Sequence, residues 1–196
     1  MVETHVETTG GRATVRTGTK RLQGLFFKTT DQLTVAQFRL NGFTFNRLAP
    51  YTTWEELLPA ALRLWTIYSE TAQPESVPRI AVRYINDLRL RRGERLEQFL
   101  ARPPQPPPGV PSELTRLFLK TESRDVDSGI SVNLSQALQP GVISDERSLL
   151  LDVDVYRLEE FRDRLEEIPP AFETLRAMKN RVFFENITEE AAHRYE

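Results

Sequence analysis

The stretch LLLDVDVYR, residues 149–157, sets two carboxylates, Asp152 and Asp154, two positions apart. Its Leu and Val residues make it a β-strand pattern, in which successive side chains alternate faces. Asp152, Asp154 and Tyr156 then share one face, and Leu151, Val153 and Val155 the other. Carboxylate oxygens converging on one face suit a hard divalent cation, Mg²⁺ or Mn²⁺, of the kind that serves phosphoryl chemistry on nucleotides or nucleic acid. Two close carboxylates also suit general acid/base work, because their pKa values separate. Against metal catalysis stand the lack of a Gly-rich phosphate loop, the lack of a third carboxylate at a telling spacing on a neighbouring strand, and the presence of Arg83 and Lys120 for cross-strand pairing. The balance favours a solvated or ion-paired sheet face. Asp152 and Asp154 stand as weak metal candidates, and no cofactor is implied.

Other chemistries are narrower still. The 196 residues contain no cysteine, which removes thiolate nucleophiles, iron–sulfur clusters, cysteine-ligated zinc and disulfides together. The two histidines, His5 and His193, lie in the terminal stretches, so histidine chemistry would rest on frayed segments. No serine stands in a G-x-S-x-G elbow or beside a plausible base, and no triad is named. A net charge of −2 gives no global field for nucleic acid or an anionic membrane. No run approaches the ~20 apolar residues of a membrane span, and the N-terminus lacks a signal-peptide core, so the cytoplasm is the expected location.

The elements that must position these residues follow from periodicity. Residues 1–20 are rich in Thr and Gly and read as a flexible lead or a weak edge strand, with 21–196 as one domain. Two β-rich runs, Gly24 to Thr29 and Leu33 to Asn41, flank TTDQ as a hairpin, and Asn41-Gly42 turns into FTFNRL. Thr53 N-caps a helix from Trp54, whose Leu57, Leu58, Ala61, Leu62, Trp65 and Tyr68 recur at helical spacing until Pro74. Pro59 lies early enough in it to be tolerated with a local adjustment. A strand over 77–90 follows, then a short helix around Arg95 to Ala101, and a stiff proline-rich connection over 102–111. Three strands, 114–123, 130–139 and 148–157, read as an antiparallel meander joined by DVDSG and PGVISDER. A closing helix carries Phe161, Leu165 and Ile168, breaks at Pro169-Pro170, and continues through Phe172, Leu175, Met178, Val182 and Phe183. The expected class is α+β, a largely antiparallel curved sheet in the order β-β-α-β then β-β-β-α, a weak pseudo-duplication with two main helices on one face.

Alternation extends the acidic face to its neighbours. If the three late strands pair, Lys120, Asn133, Ser135, Asp152, Asp154 and Tyr156 gather on one polar surface, with Arg83 on the 77–90 strand as an arginine in need of a partner. This surface is the candidate site. A second, less favoured patch is LRLRRGER, residues 88–95, where Arg89, Arg91, Arg92 and Arg95 form a basic cluster for nucleic acid without the aromatics that usually accompany one.

Four stretches in order, FTFNRLAPYTTWEEL, VPRIAVRYINDLRL, LLLDVDVYR and LRAMKNRVFFENITEEA, resemble a sporadically distributed bacterial family of uncharacterised proteins over roughly residues 25–192. The resemblance implies antiparallel strands with helices packed on them, and no activity. Among its matching positions, Phe45, Trp54 and Phe184 read as core and Thr188 as the N-cap of a last short helix. Arg47, Arg83, Asp152, Asp154 and Lys179 read as a buried or half-buried charge network, costly unless mutually paired. Members of that family open with a further strand and helix, in place of which this chain has MVETHVETTGG; the resemblance therefore implies a sheet edge free for dimerisation or partner capture. The expectation is a non-catalytic protein that binds a protein partner or itself, accessory to a bacterial defence or toxin–antitoxin type system, without membrane attachment. The competing expectation is a divalent-metal enzyme using Asp152 and Asp154.

Overall fold

A computed structural model describes residues 2–9, 12–19, 23–140, 146–161 and 165–194, with backbone alone for 2–19 and Leu165. The His5 and Leu165 side chains and residues 141–145 of the PGVISDER connection thus lie outside the described residues. The chain divides into two compact units, Met1–Pro74 and Glu75–Glu196, a division that falls within the 21–196 span read as one domain. The fold is α+β, and its strands form separate antiparallel sheets.

In the first unit, β1 (Val2–Thr9) and β2 (Arg12–Thr19) pair as a hairpin. Strands β3 (Gly24–Lys28), β4 (Thr34–Arg39) and β5 (Gly42–Arg47) form a three-stranded sheet in that order, so FTFNRL is a strand in its own right ahead of the helix. Its register places Leu25, Phe38 and Phe43 side by side, and α1 (Trp54–Ala72) supplies Trp65 and Tyr68 to the same aromatic cluster. Thr53 caps α1 by accepting the Glu56 N–H at 3.3 Å, and the helix stops at Gln73, whose left-handed backbone (φ 45°) brings its N–H to the Ser69 carbonyl. Pro59 sits inside a helix that runs unbroken past it.

In the second unit, β6 (Arg79–Leu90), β9 (Arg147–Leu158), β8 (Ile130–Pro140) and β7 (Leu117–Arg124) form a four-stranded antiparallel sheet in the order β6-β9-β8-β7. β7, β8 and β9 make the expected meander, and β6 adds to its far side along β9. The expected short helix after β6 is one 3₁₀ turn, Leu96–Gln98. Strand β9 is the centre of the core. Leu149, Leu151, Val153 and Val155 are all fully buried, one below another on the face that α2 (Ile168–Asn186) covers. Leu175 of α2 and Val82 and Ile80 of β6 complete that side. Thr188 caps α3 (Glu189–Arg194), accepting the Ala191 N–H while its own hydroxyl donates to the Gln98 carbonyl.

Candidate functional site

The opposite face of the four-stranded sheet carries the charged residues. The register sets them in rows: Arg83, Asp154, Asn133 and Glu122 in one, Ile85, Asp152, Ser135 and Lys120 in the next, and Ala81, Tyr156, Ser131 and Arg124 on the other flank. The six residues expected to gather on a polar surface from β7, β8 and β9 therefore do share one, and Arg83 joins them from β6.

Within the surface the aspartates are held by arginines. Arg83, directly opposite Asp154, reaches diagonally to Asp152 and donates from Nε (2.9 Å) and Nη2 (2.6 Å) to its two oxygens. That pairing, with partial desolvation opposing it, raises the Arg83 pKa above its ordinary value. Arg79 holds Asp154 from Nη2, at 3.1 and 3.0 Å to its two oxygens. The guanidinium of Arg79 lies over the Tyr156 ring, 4.6 Å from its centroid. Tyr156 faces Ala81 across the β6–β9 pair, and that small side chain leaves room for the arginine to run over the ring. Asn133 Nδ2 donates to Asp154 at 3.3 Å, and the Tyr156 hydroxyl donates to Glu122 at 2.6 Å, which raises the pKa of the phenol. Ser135 and Lys120 complete the Asp152 row, with Lys120 exposed at the sheet edge.

Sequence reading named Arg83 and Lys120 as neutralising cations. The structure gives that role to Arg83 and Arg79; Lys120 stands two strands from Asp152, beyond Ser135. The signal for Arg79 was present, since it lies four positions from Arg83 on the same strand face. Glu122, the Tyr156 partner, has the same parity as Lys120 and was equally open to view.

The remaining expected site residues have other surroundings. Arg47 belongs to the Met1–Pro74 unit, where it donates to Thr34 Oγ1 (3.1 Å) and the Pro50 carbonyl and stands 3.6 Å from Asp31. Lys179 is buried on α2 against the apolar face, its ammonium 3.9 Å from the centroid of the Tyr84 ring. Burial, with a smaller push from Arg176, lowers its pKa to about 8. Of the five charged residues grouped by resemblance, Arg83, Asp152 and Asp154 come together and Lys179 lies across the sheet from them. Phe184, expected in the core, is 58% exposed, while Trp54 is buried. In the basic cluster, Arg89 pairs with Asp87 (2.6 Å) and Arg95 with Glu97 (3.3 Å), and the Arg91 backbone N–H bonds to Glu94.

A groove of about 530 Å³ runs between α2 and the outer strands, lined by Thr121, Ser123, Val132, Leu134, Met178 and Val182 among others. It was not visible in the sequence, because the angle at which α2 crosses the sheet decides how much of β7 and β8 it leaves open.

Chemically, the polar face presents two aspartates whose oxygens are already engaged by guanidinium groups and a glutamate that accepts from the Tyr156 hydroxyl. Among the described residues no three His, Cys, Asp or Glu side chains are placed to hold a metal ion, and no helix is long and apolar enough to cross a membrane. The class defined so far is an α+β protein with one ion-paired sheet face. No protein-family model, curated protein or solved structure matches the chain.

Proposed function

We propose that the protein acts by binding a protein partner through the polar face of the four-stranded sheet, without a catalytic centre of its own. The observation that carries this reading is the bidentate capture of Asp152 by Arg83 and the bifurcated hold of Arg79 Nη2 on both oxygens of Asp154. These contacts engage the oxygens that a metal ion would need, and they leave a surface of paired, alternating charge. Ile85 at 61% and Phe118 at 74% exposure supply apolar contacts at the two ends of the same face. Charge pattern for orientation together with exposed apolar anchors is the usual composition of a recognition surface. By the resemblance described above, the partner belongs to a bacterial defence or toxin–antitoxin type system. The competing reading, a divalent-metal enzyme on nucleotides or nucleic acid, requires both arginines to leave the aspartates before a cation can enter.

The test is affinity capture from the native host with the wild-type chain and with Ile85→Arg. That substitution sets a cation beside Asp152 on an exposed position and leaves the core untouched. The expected result is one stoichiometric partner retained by wild type and lost with a variant that melts at the wild-type temperature. A wild-type chain that captures nothing and stays monomeric in light scattering contradicts the proposal.

A further inference from the structure

Strand β7 closes one side of the four-stranded sheet, and from Phe118 to Arg124 every one of its residues is exposed. Its outer backbone edge is a row of donors and acceptors. The Asp125 N–H bonds to the Ile130 carbonyl, so ladder alternation turns the N–H and C=O groups of Thr121 and Ser123 toward β8 and those of Phe118, Lys120, Glu122 and Arg124 outward. The side chains of those four outward residues also share the polar face, and their order is aromatic, cation, anion, cation.

We propose that β7 pairs antiparallel with β7 of a second copy of this chain, about a two-fold axis at Thr121, joining two four-stranded sheets into one of eight strands. Charge order and the length of strand paired together select this register. A two-fold axis at Lys120 sets Lys120 against its own symmetry mate, and an axis at Glu122 sets Glu122 against itself and Lys120 against Arg124. Axes between residues place polar side chains opposite residues of the other face. An axis at Ser123 opposes Glu122 to Arg124 but pairs only residues 122–124 of the strand, and an axis at Leu119 pairs 117–121 with Lys120 against Phe118; the axis at Thr121 pairs 118–124, with Lys120 facing Glu122 twice, once on each side, and Phe118 facing Arg124 in a cation–aromatic pair. It also brings together residues whose N–H and C=O groups both point outward, so Lys120 and Glu122 form hydrogen-bonded pairs and Thr121 faces Thr121 in a non-hydrogen-bonded pair. Glu122 keeps lone pairs for the incoming lysine beside the Tyr156 hydroxyl. This inference uses the edge of the sheet and stands independently of what the polar face recognises.

The absence of cysteine gives a direct test with the full chain. In a non-hydrogen-bonded pair the Cα atoms lie about 4.5 Å apart, within disulfide range. Under mild oxidation Thr121→Cys is expected to convert to a covalent dimer, while Leu119→Cys and Ser123→Cys, each two positions off the axis, stay largely uncrosslinked. In sedimentation equilibrium, Lys120→Glu is expected to weaken self-association at least tenfold by opposing two carboxylates, and Lys120→Glu/Glu122→Lys to restore it. Circular dichroism on each variant confirms the fold. A wild-type chain that sediments as a monomer with no Thr121→Cys crosslink overturns the proposal, as does a dimer indifferent to Lys120→Glu. Crosslinking through Leu119→Cys or Ser123→Cys in place of Thr121→Cys overturns the register.

Discussion

The two faces of the β6-β9-β8-β7 sheet treat charge in opposite ways. On the outer face Asp152 and Asp154 remain partly in water and each has a guanidinium across both oxygens. On the inner face Lys179 of α2 is buried against the sheet with the π face of Tyr84 as its neighbour, and no carboxylate pairs with it among the described residues. Exposure makes pairing inexpensive and of small net value, whereas burial makes a lone cation costly and an aromatic face only partial compensation. The outer charges therefore shape a surface, and the inner one is a local weakness in the core.

The largest effect expected from this contrast comes from the apolar side of β9. Leu151 is fully buried at the centre of the inner face, and Leu151→Ala should lower stability by about 3 kcal/mol, read as a shift of the urea midpoint at unchanged slope. A loss under 1 kcal/mol would mean that α2 does not seal that face.

Lys179 gives the next effect, with a sign that depends on pH. Its folded pKa of about 8 lies below the ordinary 10.5, so between those values the unfolded chain holds a proton that the folded chain lacks, and stability rises with pH across the window. Below pH 8 the buried ammonium destabilises throughout. Lys179→Met, which keeps the length and drops the charge, should raise stability at pH 7 by about 1 kcal/mol after loss of the Tyr84 contact, and should flatten the rise between pH 8 and 10. Denaturant curves of both chains at pH 7 and 9.5 check this; a variant less stable than wild type at pH 7 would mean that the cation is held favourably.

The smallest stability effect belongs to the outer pairs. The Arg83 and Arg79 side chains are 56% and 44% exposed, so Asp152→Asn and Asp154→Asn should each cost about 0–1 kcal/mol, less at 0.5 M salt than at low salt. A loss of several kcal/mol from either would place these pairs in the core and erase the contrast between the faces.

Most of this contrast was legible in the sequence, and the part that was not has a geometric cause. The D-V-D-V alternation assigns Asp152 and Val153 to opposite faces whatever the strand pairs with, so the polar surface followed from strand order alone. Which arginine meets which aspartate depends on register, and Arg83 bonds Asp152 while facing Asp154, a diagonal that alternation does not supply. The helix was harder to read. Phe184 was placed in the core as a phenylalanine at a position matched by the resemblance, yet the buried stripe of α2 runs through Ile168, Leu175 and Lys179, and at 100° per residue Phe184 lies about 140° around the helix from Lys179. A lysine on the buried stripe and a phenylalanine off it invert the usual preference of these residue types for surface and core. Arg47 belongs to the Met1–Pro74 unit and the other four charges to Glu75–Glu196, a division for which the sequence offers only Pro74 and the short polar run after it.

The measurement closest to the central claim is a calorimetric titration of Mn²⁺, and then Mg²⁺, into the wild-type chain and into Asp152→Asn/Asp154→Asn. With both aspartates held by Arg83 and Arg79, no saturable heat is expected from either chain. Saturable binding to wild type that disappears in a folded double variant would contradict the binding-surface reading and restore the metal-dependent enzyme.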